Sequence, residues 1–140
     1  MKIKTIRKLT AVTLIALFSQ FSLAQGQGAG GTDEATMSAG MQLVDILASI
    51  NHFPSDADKA VLAGIAGNDA LPEGLRNMAT VVSNINHAAS AEGKAMMTSM
   101  QASDAVPEPA KLLAGIIANF NHMASPEAKA TLATLAAMSP

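Results

Sequence analysis

Three histidines are the residues of this chain whose side chains and spacing could do chemistry. Each follows an asparagine, and consecutive Asn-His pairs lie 35 residues apart, in the order Asn51-His52, Asn86-His87 and Asn121-His122. Neutral imidazole is a ligand for Zn, Cu and Ni ions. If the three pairs meet in the folded chain, they form a candidate site for Cu or Zn. If they stay apart, each pair only stabilises the end of its own helix.

A structural role accounts for the same three pairs. Each pair falls where the first predicted helix of a repeat unit ends, and its histidine precedes a serine by three residues. A histidine in the last turn can donate to the open carbonyls, and asparagine tolerates the left-handed conformation that often ends a helix. A polar column two residues before each asparagine could add a ladder of hydrogen bonds between units; it comprises Ser49, Asn84 and Asn119. Because duplication alone copies such a corner, the sequence favours this structural interpretation.

The choice between the two interpretations depends on whether the three corners converge. Packed helices lie about 8–10 Å apart, so three imidazoles in a straight row cannot share one ion, whereas three units that curve into a closed trefoil can bring them together. Thioether sulfur would suit Cu(I), but methionine at helical spacing more often fills a core. The methionines in question are Met96, Met97, Met100 and Met123. The chain has no cysteine, which excludes thiolate metal sites, cysteine nucleophiles and disulfides.

Catalysis is not predicted. A histidine base needs a nucleophile or an acid that converges on it, and no Ser-His-Asp arrangement follows from the spacing. The repeated serines have a simpler role, because each stands directly before a predicted helix, where a hydroxyl can accept from the unpaired N–H groups of the first turn. These serines are Ser55, Ser90 and Ser125.

The 35-residue period predicts an all-α fold of three tandem helical hairpins, six helices in total, as a short solenoid or a compact bundle. The units run over 40–74, 75–109 and 110–140. The first helix of each unit carries apolar residues at helical spacing, so one column should lie in the core: Leu47, Val82 and Ile117. The second helices carry a shorter apolar set: Val61, Leu62 and Ile65, then Met96, Met97 and Met100, then Leu132 and Leu135.

The N-terminal residues have the pattern of an export signal. A basic stretch and a short apolar run end in Ser22-Leu23-Ala24, so 1–24 is predicted to be a signal peptide that is cleaved after Ala24. Residues 25–36 are predicted to be a flexible glycine-rich leader, and 37–140 the helical repeat domain. We therefore expect an exported protein, periplasmic or extracellular, without stable membrane insertion after cleavage.

Composition narrows the choice of partner. Beyond residue 24 the chain has five Lys and Arg residues against eleven Asp and Glu, a net charge of −6, which argues against nucleic acid as a partner. Phe53 and Phe120 are the only aromatic residues after that position apart from the histidines. The sequence thus predicts a non-enzymatic module, without a cofactor, that binds a protein partner or self-associates. The alternative is a periplasmic protein that binds Cu or Zn through His52, His87 and His122.

Overall fold

Six α-helices and no strand lie within residues 34–138, the part of the chain that the computed structural model describes. The helices are α1 over 34–49, α2 over Asp56–Ala66, α3 over Glu73–Ser83, α4 over Ala91–Ala102, α5 over Glu108–Ala118 and α6 over Pro126–Ala137. The predicted all-α class with six helices is confirmed. Of the helices in this range, none combines the length and the apolar character that crossing a membrane requires.

The first helix starts earlier than the sequence predicts. Residues 34–36 belong to α1, although they fall in the segment that we expected to be a leader without fixed structure. Glu34 places a negative charge in the first turn, where the helix dipole favours it. The predicted signal peptide and residues 25–33 of the predicted leader lie outside the described residues.

The even-numbered helices begin as predicted, at a serine cap. The side-chain oxygens of the three capping serines accept from backbone N–H groups three residues ahead, each at 3.1 Å: Asp58 to Ser55, Gly93 to Ser90 and Ala128 to Ser125. In α2 the Asp58 carboxylate also accepts from the Ser55 backbone N–H, which completes a capping box. These bonds satisfy donors that a helix cannot pair internally, so each cap defines where its helix begins.

Replacing Ser90 by alanine is expected to lower the free energy of unfolding by about 1 kcal/mol, because the Gly93 N–H loses its acceptor. Chemical denaturation measures the change. The matched control is Ser99→Ala, at an exposed position inside the same helix, where alanine is the better helix former. Equal destabilisation by the two substitutions would show that Ser90 does not act as a cap.

The odd-numbered helices supply the interior of the core. Leu47, Val82 and Ile117 are each fully buried, which confirms the column that the sequence predicts to be core. Leu43 and Met78, one turn earlier in α1 and α3, are equally enclosed. The apolar stripe at helical period therefore faces the protein interior in all three units.

The even-numbered helices bury a narrower face than the sequence predicts. Their buried apolar residues are Leu62, Ile65, Met97, Leu132 and Leu135. Val61 and Met96 were expected to join them, but their side chains are 39% and 42% exposed. Each stands directly before a fully buried residue, and successive helical residues point about 100° apart, so the face that buries Leu62 and Met97 leaves Val61 and Met96 at its edge.

From α2 to α6, consecutive helices along the chain contact each other. Helix α2 contacts α3 and α4 contacts α5, so these second helices pack against the first helix of the following unit. The first helices α3 and α5 also contact each other. Because every first helix ends beside the same core cluster, the connections that follow these helices can approach one another.

Candidate metal centre

The repeated histidines adopt an unusual backbone conformation. The φ angles of His52, His87 and His122 are 76°, 67° and 64°, and they are the non-glycine residues with positive φ in the described part of the chain. This left-handed region costs an L-residue roughly 1–2 kcal/mol, whereas glycine enters it freely. If these positions served only to turn the backbone, glycine would be the favoured residue. The presence of histidine at all three therefore has to be explained by its imidazole side chain.

Backbone hydrogen bonds join the three corners in a closed ring. The His87 N–H donates to the His52 carbonyl oxygen at 2.7 Å, and the His52 N–H donates to the His122 carbonyl oxygen at 2.5 Å. The His122 N–H donates to the His87 carbonyl oxygen and closes the ring. The third unit is thus bonded back to the first, and the left-handed conformation aims each N–H and carbonyl at the neighbouring corner.

The ring of backbone bonds brings the imidazoles together. Their centroids are separated by 5.3 Å for His52 and His87, 5.4 Å for His52 and His122, and 5.1 Å for His87 and His122. The rings meet edge to face, with interplanar angles of 73–88°. One nitrogen from each histidine lies within 4.8 Å of those of the other two. The structure therefore brings together all three of the histidines that the sequence offers as metal ligands.

The neighbouring asparagines orient two of the rings. In the second unit the Asn86 Oδ1 lies 2.8 Å from the His87 Nδ1, and in the third the Asn121 Oδ1 lies 2.5 Å from the His122 Nδ1. An amide oxygen can only accept, so these bonds require a proton on Nδ1. In a neutral ring the lone pair then lies on Nε2, and a hydrogen bond on the opposite nitrogen is the usual support of a metal-binding histidine.

The predicted roles of the polar columns need correction. The Asn-His pairs lie in the connections beyond the first helices, not in their last turns, and the left-handed residue is the histidine and not the asparagine. The predicted ladder between units is also wrong. Ser49, Asn84 and Asn119 donate to carbonyl oxygens of their own helices, those of Ile46, Thr80 and Gly115 respectively. Each side chain satisfies the open end of its own helix, which is closer than any other unit.

The three-histidine cluster is accessible from solvent. His52 is half-buried, and His87 and His122 are exposed, so an ion can reach the nitrogens without opening the fold. Two of the predicted thioether ligands lie elsewhere. Met97 is fully buried in the core, and Met100 lines a cavity. Met97 stands about 9 Å and Met100 about 14 Å along α4 from its first residue, Ala91.

The arrangement can act as a tripod of nitrogen ligands. Tetrahedral coordination with metal–nitrogen distances near 2.0–2.1 Å places neighbouring nitrogens about 3.4 Å apart. From a separation of at most 4.8 Å, each nitrogen has to move by about 1 Å or less, which side-chain rotation supplies. The three ligands are neutral imidazoles, so a divalent ion held there would keep its charge and would favour water or an anion as a fourth ligand.

The sequence did not reveal the positive φ angles or the closure of the ring. A local signal was present for the first: each pair contains an asparagine just after a predicted helix, where the chain often adopts the left-handed conformation. No short stretch of sequence predicts that the three corners form a closed ring, because closure depends on the angle between consecutive units. No protein-family model, curated protein or solved structure matches the chain.

Proposed function

We propose that this protein binds a divalent transition-metal ion, Zn²⁺ or Cu²⁺, through one imidazole nitrogen each of His52, His87 and His122. The observation that carries the proposal is the convergence of the three imidazoles, with candidate nitrogens within 4.8 Å of one another. Borderline nitrogen ligands suit both ions.

The backbone conformation supports the same proposal. Three histidines occupy positions where glycine would avoid the cost of the left-handed region. The hydrogen-bond ring uses only main-chain atoms of these residues, so the ring alone gives no reason for an imidazole. Strain that is repeated at one cluster of side chains is characteristic of functional sites. We infer that the corners hold their costly conformation because it aims three ligands at one point.

We further propose that the three units close into one bundle around this site, in place of an extended solenoid. The bond from the His52 N–H to the His122 carbonyl oxygen supports closure, because it links the first unit to the third. An open solenoid would keep its terminal units apart. The role that we propose is metal binding, since three imidazoles converge on one point.

The experiment that tests the proposal is a titration of the metal-depleted, untagged protein with Zn²⁺ and Cu²⁺. We expect one equivalent to bind with sub-micromolar affinity and to raise the melting temperature by mass action, with about 2.7 kcal/mol of stabilisation at one hundred times the dissociation constant. Protons compete with the ion for the imidazole nitrogens, so the stabilisation should weaken as the pH is lowered. Weak binding of several equivalents, without thermal stabilisation, would contradict the proposal.

Protein binding or self-association is the second candidate. It is favoured by Phe53 and Met123, which directly follow two of the histidines and are 59% and 47% exposed. Large apolar side chains at the surface are typical of contact sites. Concentration-dependent association that disappears in a Phe53→Ser/Met123→Ser double variant, with or without metal, would support this function. As part of either function we propose export, on the basis of the N-terminal residue pattern.

A further inference from the structure

A second candidate site lies at the opposite end of the helices from the histidines. A cavity of about 500 Å³ is bordered by the N-terminal halves of α1, α3 and α5 and by Met100, Leu135 and Met138 from the last turns of α4 and α6. The histidine corners follow the C-terminal ends of the same odd-numbered helices. The volume falls within the range of about 300–1,000 Å³ that is typical of small-molecule sites.

The cavity arises where the repeat departs from its own pattern. Gly40, Leu75 and Ala110 occupy one column of the three units, and all three line the cavity. The Leu75 side chain occupies part of the space between the helices, whereas the smaller Gly40 and Ala110 leave the equivalent space empty. A Cβ atom built on Gly40 would meet no other atom within 4 Å. In the column of Leu47, Val82 and Ile117, by contrast, all three side chains are large and fully buried.

The lining is suited to hydrocarbon. Among the described residues that border it, none is charged or aromatic, and Thr36 carries the one polar side chain. A polar group inside this cavity would lose its hydrogen bonds to water without replacement. Methionine side chains make up much of the wall: Met37, Met41, Met78, Met100 and Met138. Flexible thioethers adapt to ligands of variable shape, so the wall can close around a chain that has several conformations.

We propose that this cavity binds an unbranched aliphatic chain of the fatty-acyl type and leaves its polar headgroup at the mouth, in solvent. The absence of charge in the lining has a specific consequence: affinity should follow chain length and not headgroup charge. Each methylene that moves from water into the cavity should strengthen binding about fourfold. The inference stands independently of the metal site, because it depends on different residues at the other end of the helices.

Calorimetric titration of the purified protein with dodecanol, dodecanoate, butanol and farnesol tests the proposal. Dodecanol and dodecanoate should bind with similar affinity, butanol should not bind measurably, and farnesol should bind more weakly than dodecanol. The decisive variant is Gly40→Leu, which places in the first unit the residue that the second unit has at Leu75. It should weaken dodecanol binding at least about tenfold without lowering the melting temperature.

The matched control is Gly64→Leu in α2. There too an added Cβ meets no atom within 4 Å, but the residue lies outside this cavity, so dodecanol binding should be unchanged. If Gly40→Leu fails to fold, Ala110→Leu fills the cavity from α5. Failure of the wild-type protein to bind dodecanol would overturn the proposal, as would undiminished binding by the filled variant. If farnesol binds more tightly than dodecanol, the cavity is an isoprenoid site instead. If the wild-type protein is a dimer and Gly40→Leu dissociates it, a second copy of the chain occupies the cavity.

Discussion

Replacing His87 by glycine is expected to weaken Zn²⁺ or Cu²⁺ binding by more than about a hundredfold while leaving the metal-free fold intact. Loss of a supporting partner of a metal ligand costs about 10–100-fold, so loss of a ligand should cost more. Glycine keeps the main-chain N–H that donates to His52 and the main-chain carbonyl that accepts from His122. It also adopts φ near 67° without the penalty that histidine incurs.

Two measurements on the same variant separate ligation from structure. Calorimetric titration gives the metal affinity, and chemical denaturation of the metal-free protein gives the free energy of unfolding. The unfolding free energy should change by less than about 1 kcal/mol, because relief of the left-handed penalty offsets the greater entropy of unfolded glycine. A large loss of metal-free stability would mean that the imidazole has a structural role.

Two further variants serve as controls for this result. Asn86→Ala removes the acceptor at the His87 Nδ1 and keeps the ligand, so binding should weaken only about 10–100-fold. A His52→Gly/His87→Gly double variant should bind scarcely more weakly than either single variant, because one missing ligand already disables a shared site. Additive losses from the two substitutions would indicate separate, weak surface sites.

Truncation of Ile117 to alanine is expected to lower the free energy of unfolding by roughly 2–5 kcal/mol. The side chain is fully buried in α5, in the column shared with Leu47 and Val82, so the substitution leaves a cavity where the odd-numbered helices meet. Urea denaturation followed by circular dichroism measures the change. For a domain of this size such a loss is a large part of the total stability.

The neighbouring residue provides a control. Ile116 lies only partly in the core, so Ile116→Ala should cost clearly less than Ile117→Ala. A loss below about 0.5 kcal/mol at Ile117 would mean that this face of α5 is not packed as described. Added Zn²⁺ should raise the urea midpoint of the Ile117→Ala variant, because an ion that binds only the folded chain restores stability by mass action.

Local features of the sequence were enough to predict the helices and the core. The spacing of apolar residues identifies the buried face of each odd-numbered helix, since the side-chain direction repeats every 3.6 residues whatever the helix packs against. Ser90 marks a helix start because its hydroxyl bonds to Gly93, only three residues ahead. Exposure of Val61 and Met96 escaped prediction, because the face that a short, alanine-rich helix buries depends on its neighbour.

The convergence of the histidines could not be predicted in this way. His52 and His122 lie 70 residues apart, and their backbone bond depends on the angles that accumulate through four intervening helices. A small change in each angle separates a straight row of corners from a closed ring. The spacing of the sequence therefore determined that the chain repeats one corner three times. Only the tertiary structure decided that the three imidazoles come within reach of one ion, because long-range contacts set the directions of the helices.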